Sequence, residues 1–203
     1  MLGALHHWFP LFTGRAASER VGKASALVLL MTPGLAFFYG GLVRGKNIVN
    51  TIMFSFMSMA VSSVVWVLWG YSLAFGEGNA FIGDFSHIGL DGIAVSDVSG
   101  GIPTLLFVAF QMMFAIITPA LISGAVAERM KFTAWVVFIA IWSVVVYAPM
   151  AHWVWGGGFI ASTIGAVDFA GGTVVHINAG AAALALVLVL GPRIGFRREI
   201  IRP

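Results

Sequence analysis

The sequence contains no cysteine, so there is no disulfide framework to infer and the compartment has to be read from topology instead. Charge is almost as scarce. Only 9% of the 203 residues are Asp, Glu, Lys or Arg, where a soluble globular chain carries about 25%. Lys and Arg are missing altogether from two long stretches, 76–102 and 148–167. No HEXXH pattern is present, and no serine, histidine and acid fall on matching faces. These absences leave nothing to support a catalytic metal, a cofactor or a hydrolase, and we expect no enzyme activity. The net charge of +3 comes from lysines and arginines in loops and makes no patch for nucleic acid.

What the chain does have is apolar sequence, with 60% hydrophobic residues and a mean hydropathy of +0.98. The basic residues cluster and leave charge-free runs of 20, 30, 30, 36 and 24 residues, at 24–43, 47–76, 98–127, 132–167 and 169–192. About 20 apolar residues cross a bilayer core as a helix. Helices satisfy their own backbone groups in lipid, and no period-2 barrel pattern appears. The expected fold class is therefore an all-α integral membrane protein with five transmembrane helices, at about 24–43, 48–75, 103–127, 133–150 and 169–191. Residues 1–23 form a poorly patterned segment. They make no convincing signal peptide, because His6, His7 and Pro10 interrupt a short apolar stretch that has no basic residues ahead of it.

Along the chain, Pro33-Gly34 should bend the first span. The aromatic WVLWGYSLAFG suits an interface belt at the end of the second. AHWVWGGGFIAST, after the fourth, is too short and Gly-rich to cross again, and reads as an outer turn or a re-entrant segment. Arg44, Lys46, Arg129, Lys131, Arg193, Arg197, Arg198 and Arg202 all fall on one side, and the opposite loops hold no Lys or Arg. The positive-inside rule then puts the C-terminus in the cytoplasm and the N-terminus outside. Arg15, Arg20 and Lys23, on the outer side, are discordant.

The stretch DFAGGTVVHINAGAAA sets an acid and a histidine within apolar sequence, and an ionisable side chain inside a span is by default a functional hypothesis. Asp168 precedes a helix and can cap the N–H groups near Ala170 and Gly171. It is either a cap alone or a direct attractor of cations. His176 falls eight residues later, about 12 Å deeper at the helical rise. It is either a satisfied packing residue or part of a pore or proton relay. Gly171, Gly172 and Gly180 to Ala183 are small enough for close helix approach, which puts this helix near the centre of the bundle. Phe110 and Phe114 share a helix face at i,i+4 spacing, with Trp155 on the presumed outer turn. Aromatic faces attract cations, although packing alone accounts for most such pairs.

In order along the chain, MTPGLAFFYGGLVRGKN, GYSLAFGEG, AFQMMFA, GAVAERMKF, AHWVWGGG and DFAGGTVVHINAG together resemble the Amt/Mep branch of the Amt/Mep/Rh ammonium transporter superfamily. The resemblance runs from about Ala24 to Pro203. It implies five helices matching the first of two inverted repeats in an eleven-helix fold, assembled as a homotrimer in the plasma or bacterial inner membrane. It also implies channel-like passage of ammonium or ammonia, without a cofactor. Phe110 and Trp155 resemble the outer aromatic site that recruits ammonium, and Phe114 resembles a pore gate. Asp168 resembles the vestibule acid that supports binding without touching the ion, and His176 the first of two pore histidines.

The family continues into a second repeat where this sequence stops, so His176 is expected to lack its twin, and the chain to be the first half of a transporter. Glu19, Arg20 and Lys23 stand where the family's first helix stays apolar. The one-sided charge argues against two copies pairing head to tail. The alternative is a non-transporting membrane component that senses ammonium or co-assembles with complete subunits.

Overall fold

The computed structural model of the chain describes residues 14–193 and 195–197, so Arg198 and Arg202 of the charge count, and the segment before residue 14, lie outside the described residues. Among the described residues five helices are long and apolar enough to cross a membrane: Arg15–Gly40, Gly45–Phe75, Thr104–Val126, Phe132–Val154 and Gly172–Leu190. The first is helix α1 (Arg15–Gly40), which begins earlier than apolarity alone implied. Its charged opening turns stay helical because that end is exposed, with Arg15 paired to Glu19 at 3.5 Å. Charge sets where the apolar part of a helix starts, and hydrogen bonding sets where the helix itself starts.

The second span is α2 (Ile48–Val65), a π-helical stretch Trp66–Gly70, and α3 (Tyr71–Phe75). A hairpin of two-residue strands, β1 (Val98–Ser99) with β2 (Ile102–Pro103), closes the loop after α3 and leads into α4 (Thr104–Val126). The fourth span joins α5 (Phe132–Trp142) and α6 (Ala148–Val154) through a second π-helical stretch, Ser143–Tyr147. It therefore continues through AHWV, which the glycines that follow had made look like a turn. The fifth span is a further π-helical stretch, Gly172–Ile177, leading into α7 (Asn178–Leu190).

The centre of the bundle belongs to α4, which packs against α1, α2 and α7. Half of its most apolar window is buried, against 22% for the fifth span and 11% for α1. The expectation that the small-residue helix would be central is thus corrected. Gly180 has no atom within 4 Å of where a Cβ would lie, and Gly180 and Ala181 are exposed with Leu184 and Leu188. Small residues permit close approach, but they show no partner by themselves. A close crossing is instead Gly124 of α4 under the Tyr39 ring of α1, whose hydroxyl donates to the Leu121 carbonyl at 3.0 Å. The indole of Trp135 is fully buried, stacks on Phe54 and donates to the Phe54 carbonyl at 3.0 Å, tying α5 to α2.

At the basic end, one carboxylate holds three segments. Glu128 follows α4 with its side chain 1% exposed and a φ of +61°, unusual for a residue with a Cβ. Its Oε1 accepts from Arg44 Nε at 2.8 Å and Asn47 Nδ2 at 2.6 Å, and Arg193 Nη1 lies 3.5 Å from Oε2. Arg129 Nη1 donates to the Gly191 carbonyl at 3.1 Å. Burial pushes the Glu128 carboxyl up, but the hydrogen bonds from Arg44 and Asn47 and the Arg44 charge outweigh it, and its pKa lies below the ordinary value. A lowered folded-state pKa contributes stability that is present above the ordinary carboxylate range and is lost as pH falls through the lowered value. Glu128→Gln should destabilise the protein by about 2 kcal/mol at neutral pH. It should also remove part of the loss of thermal stability seen on acidification below about pH 4. Thermal unfolding in detergent across that range is the measurement, and unchanged acid sensitivity would count against the assignment.

Candidate functional site

The fifth span begins with four backbone N–H groups that have no partner within the helix. Asp168 takes all four. Its Oδ1 accepts from Gly171 and Gly172, both at 2.7 Å, and its Oδ2 from Thr173 at 2.8 Å and Val174 at 2.9 Å. The cap therefore reaches further into the helix than Ala170, where the sequence had placed its start. Gly171 makes this possible with a φ of +84°, and a Cβ there would stand 2.8 Å from Val175 Cγ2. The carboxylate lies at the positive end of the helix dipole with two N–H donors on each oxygen, so its charge is stabilised and its in-plane lone pairs are occupied.

The same residue holds the aromatic site. Trp155 Nε1 donates to the Asp168 carbonyl at 2.9 Å. The Trp155 ring meets Phe114 edge to face, with centroids 5.7 Å apart, and Phe114 meets Phe110 in the same way at 5.1 Å. Phe110, Phe114, Trp155 and Asp168, spread over 59 positions of sequence, thus form one connected set at the end of the bundle opposite Glu128. Trp155 owes its place to the end of α6, where its N–H still bonds the Ala151 carbonyl at 2.8 Å while the chain turns away through Gly156, Gly157 and Gly158.

Below this set runs an open groove of about 340 Å³ between α1, α4 and the start of the fifth span. Leu35 and Phe38 line it on α1, and Phe114, Ile117 and Leu121 on α4. Val175 and His176 complete it. His176 is exposed within it, and its ring makes no hydrogen bond among the described residues. Phe114 belongs to both the aromatic set and the groove, so it stands where one opens into the other. Phe110 contributes only to the aromatic set. Among the described residues no three His, Asp or Glu side chains are grouped to hold a metal.

Sequence reasoning missed two residues near this frame. His152 is 2% exposed, with both ring nitrogens against carbonyl oxygens of the second span and its loop. Glu128 anchors the opposite end. The histidine stood inside a quoted motif, but its partners lie more than 70 residues away and no local spacing announces them.

Asp168→Asn would turn an NH2 group toward two of the four N–H donors. A loss of about 2 kcal/mol in local stability corresponds to amide exchange at residues 171–174 rising roughly thirtyfold, measurable by hydrogen–deuterium exchange with α4 as the internal reference. Unchanged exchange there would mean that the cap contributes little.

The Ammonium Transporter Family profile matches residues 22–203. An ammonium transporter of Bacillus subtilis is 56% identical over 169 residues, covering 82% of this chain and 42% of the relative. Ammonium transporter Amt1 of Archaeoglobus fulgidus is 46% identical over 181 residues, covering 89% and 44%. Among solved structures, the crystal structure of Candida albicans Mep2 superposes with a TM-score of 0.80 at 39% identity, covering 91% of this chain and 41% of Mep2. The chain thus spans less than half the length of these relatives. On the family match and these identities, this five-span membrane chain belongs to the ammonium transporter family.

Proposed function

We propose that the chain serves transmembrane transport of ammonium or ammonia, supplying the outer recruitment site and one wall of the path. The observation that carries this reading is the connected set Phe110–Phe114–Trp155–Asp168, standing over an apolar groove that His176 lines. An ammonium ion leaving water needs its hydration replaced, and the faces of Phe110 and Trp155 offer cation–π attraction. The Asp168 carboxylate favours the cation through its field and does not ligate it, because backbone N–H groups already occupy both oxygens. The groove below is hostile to charge and suits neutral ammonia, with Phe114 at its entrance. The His176 ring can donate and accept hydrogen bonds along the way.

The orientation that accompanies this reading puts the Glu128 end, with Arg44, Lys46, Arg129, Lys131 and Arg193, in the cytoplasm of a cell membrane. The aromatic set then faces outward. The groove between α1, α4 and the fifth span is open, so the reading assigns its second wall to further protein, as in the two-repeat subunit of a homotrimer.

The test is methylammonium uptake in cells lacking their own ammonium transport, comparing this chain alone with the chain extended by a second repeat. Uptake by the extended form only is expected. Independent activity of the chain alone would remove the need for a second wall, and no uptake by either form would remove the transport reading. In the extended form, Trp155→Leu should raise the apparent KM for methylammonium about fivefold, the equivalent of about 1 kcal/mol of cation–π attraction. An unchanged KM would take Trp155 out of the recruitment site.

A further inference from the structure

One buried histidine remains outside the account given so far. His152 lies in the last turn of α6, three residues before Trp155, and is 2% exposed. Its Nδ1 stands 3.0 Å from the Ala74 carbonyl oxygen, at the end of α3, and its Nε2 stands 2.7 Å from the Asn79 carbonyl oxygen, in the loop that follows. Both neighbours are acceptors, so every N–H the ring carries is directed at one of these two carbonyls and none is left for a ligand.

The contacts around this ring form a seam. Asn79 Oδ1 accepts from the Phe81 N–H at 2.8 Å and the Ile82 N–H at 3.2 Å, folding the loop into a tight turn. The next two residues of that turn are then bound to the same side. The Ala80 carbonyl accepts from the Phe159 N–H at 2.9 Å, and the Phe81 carbonyl accepts from Trp153 Nε1 at 2.6 Å. Residues 79, 80 and 81 are thus bonded in succession to residues 152, 159 and 153. These bracket Trp155 in sequence. Of the three bonds, only the one from His152 comes from a fully buried side chain, and only His152 reaches both the loop and the helix end behind it.

The glycines depend on the same seam. A Cβ at Gly156 would collide with the Ala74 carbonyl and lie 2.9 Å from His152 Nδ1. The backbone leaving Trp155 therefore passes directly over the surface that His152 holds, and the N–H groups of Gly156 and Gly158 bond back to the His152 carbonyl at 3.1 and 2.9 Å. Helix end, loop and outgoing turn all meet at one ring.

We propose that His152 is a positioning residue for the aromatic recruitment site: by fixing the loop at Asn79 and the end of α3 at Ala74 against α6, it sets where the Trp155 indole stands relative to Phe114 and Asp168. This rests on the transport reading above for its functional meaning, while its structural content can be tested separately. His152 touches no substrate. It acts on affinity through the placement of Trp155, so its loss raises KM and leaves the turnover of bound substrate little changed.

The test pairs two measurements on the extended transporter. In fluorotryptophan-labelled protein, the fluorine NMR resonance of Trp155 is assigned by its absence in Trp155→Phe. His152→Ala should shift or broaden that resonance and leave the one from Trp135, in the α2–α5 core, unmoved. His152→Gln, which keeps a side-chain N–H donor, should restore most of it. In uptake assays His152→Ala should raise the apparent KM for methylammonium roughly fivefold, as loss of the cation–π contact itself would, with Vmax altered less than about twofold.

An unmoved Trp155 resonance overturns the proposal, and so does a shift of all tryptophan resonances together, since that marks general loss of the fold. A moved Trp155 with unchanged KM overturns the link to recruitment. If the unsubstituted protein shows no saturable uptake, the transport reading fails, and the resonance alone then decides whether His152 places Trp155.

Discussion

A helix that begins inside a membrane protein leaves its first N–H groups without partners, and lipid offers none, so each must be satisfied by the protein. In this chain a single carboxylate meets that demand for the fifth span, accepting from Gly171, Gly172, Thr173 and Val174. The aromatic set is tied to this arrangement. The carbonyl of the same residue receives the Trp155 indole, Trp155 meets Phe114, and Phe114 meets Phe110. A group that first answers a backbone requirement thereby places a negative charge beside a row of aromatic faces. Each of its own oxygens already accepts two backbone N–H groups.

The opposite end uses the same device with the roles reversed. There the buried carboxylate, Glu128, is met by side chains, and the bonds from Arg44 and Asn47 with the nearby Arg193 gather three chain segments. π-helical stretches at Trp66–Gly70 and Ser143–Tyr147 interrupt the second and fourth spans, and another, Gly172–Ile177, opens the fifth. Such widened turns are common at functional sites. Here the first two precede the helix ends that His152 joins, and Gly172–Ile177 carries His176.

Much of this was legible in the sequence. Five charge-free runs gave five spans because a bilayer imposes length and apolarity on each helix separately. Asp168 was readable as a cap because capping is local, and Phe110 with Phe114 because i,i+4 neighbours must share a face. Where the sequence misled, the missing information was about packing or about hydrogen bonding beyond the apolar run. Gly180 and Ala181 looked like part of an interface and face outward, while Ala182 and Ala183 pack against the core, and Pro33 was noted while Pro119, inside the more buried α4, was not. The charged turns of α1 were set aside although charge does not stop a helix that is free to stand in water. His152 and Glu128 remained hidden because their partners lie 73 to 84 residues away or across a turn with positive φ.

The central claim is that Asp168 organises the recruitment site by holding backbone and tryptophan, and favours the cation only at a distance. It is tested most directly by an experimental structure of the extended transporter with methylammonium bound. The account predicts the cation against the faces of Phe110 and Trp155, with the four N–H bonds to the Asp168 carboxylate intact. A cation ligated by that carboxylate, with the N–H groups of Gly171 to Val174 released, would contradict it.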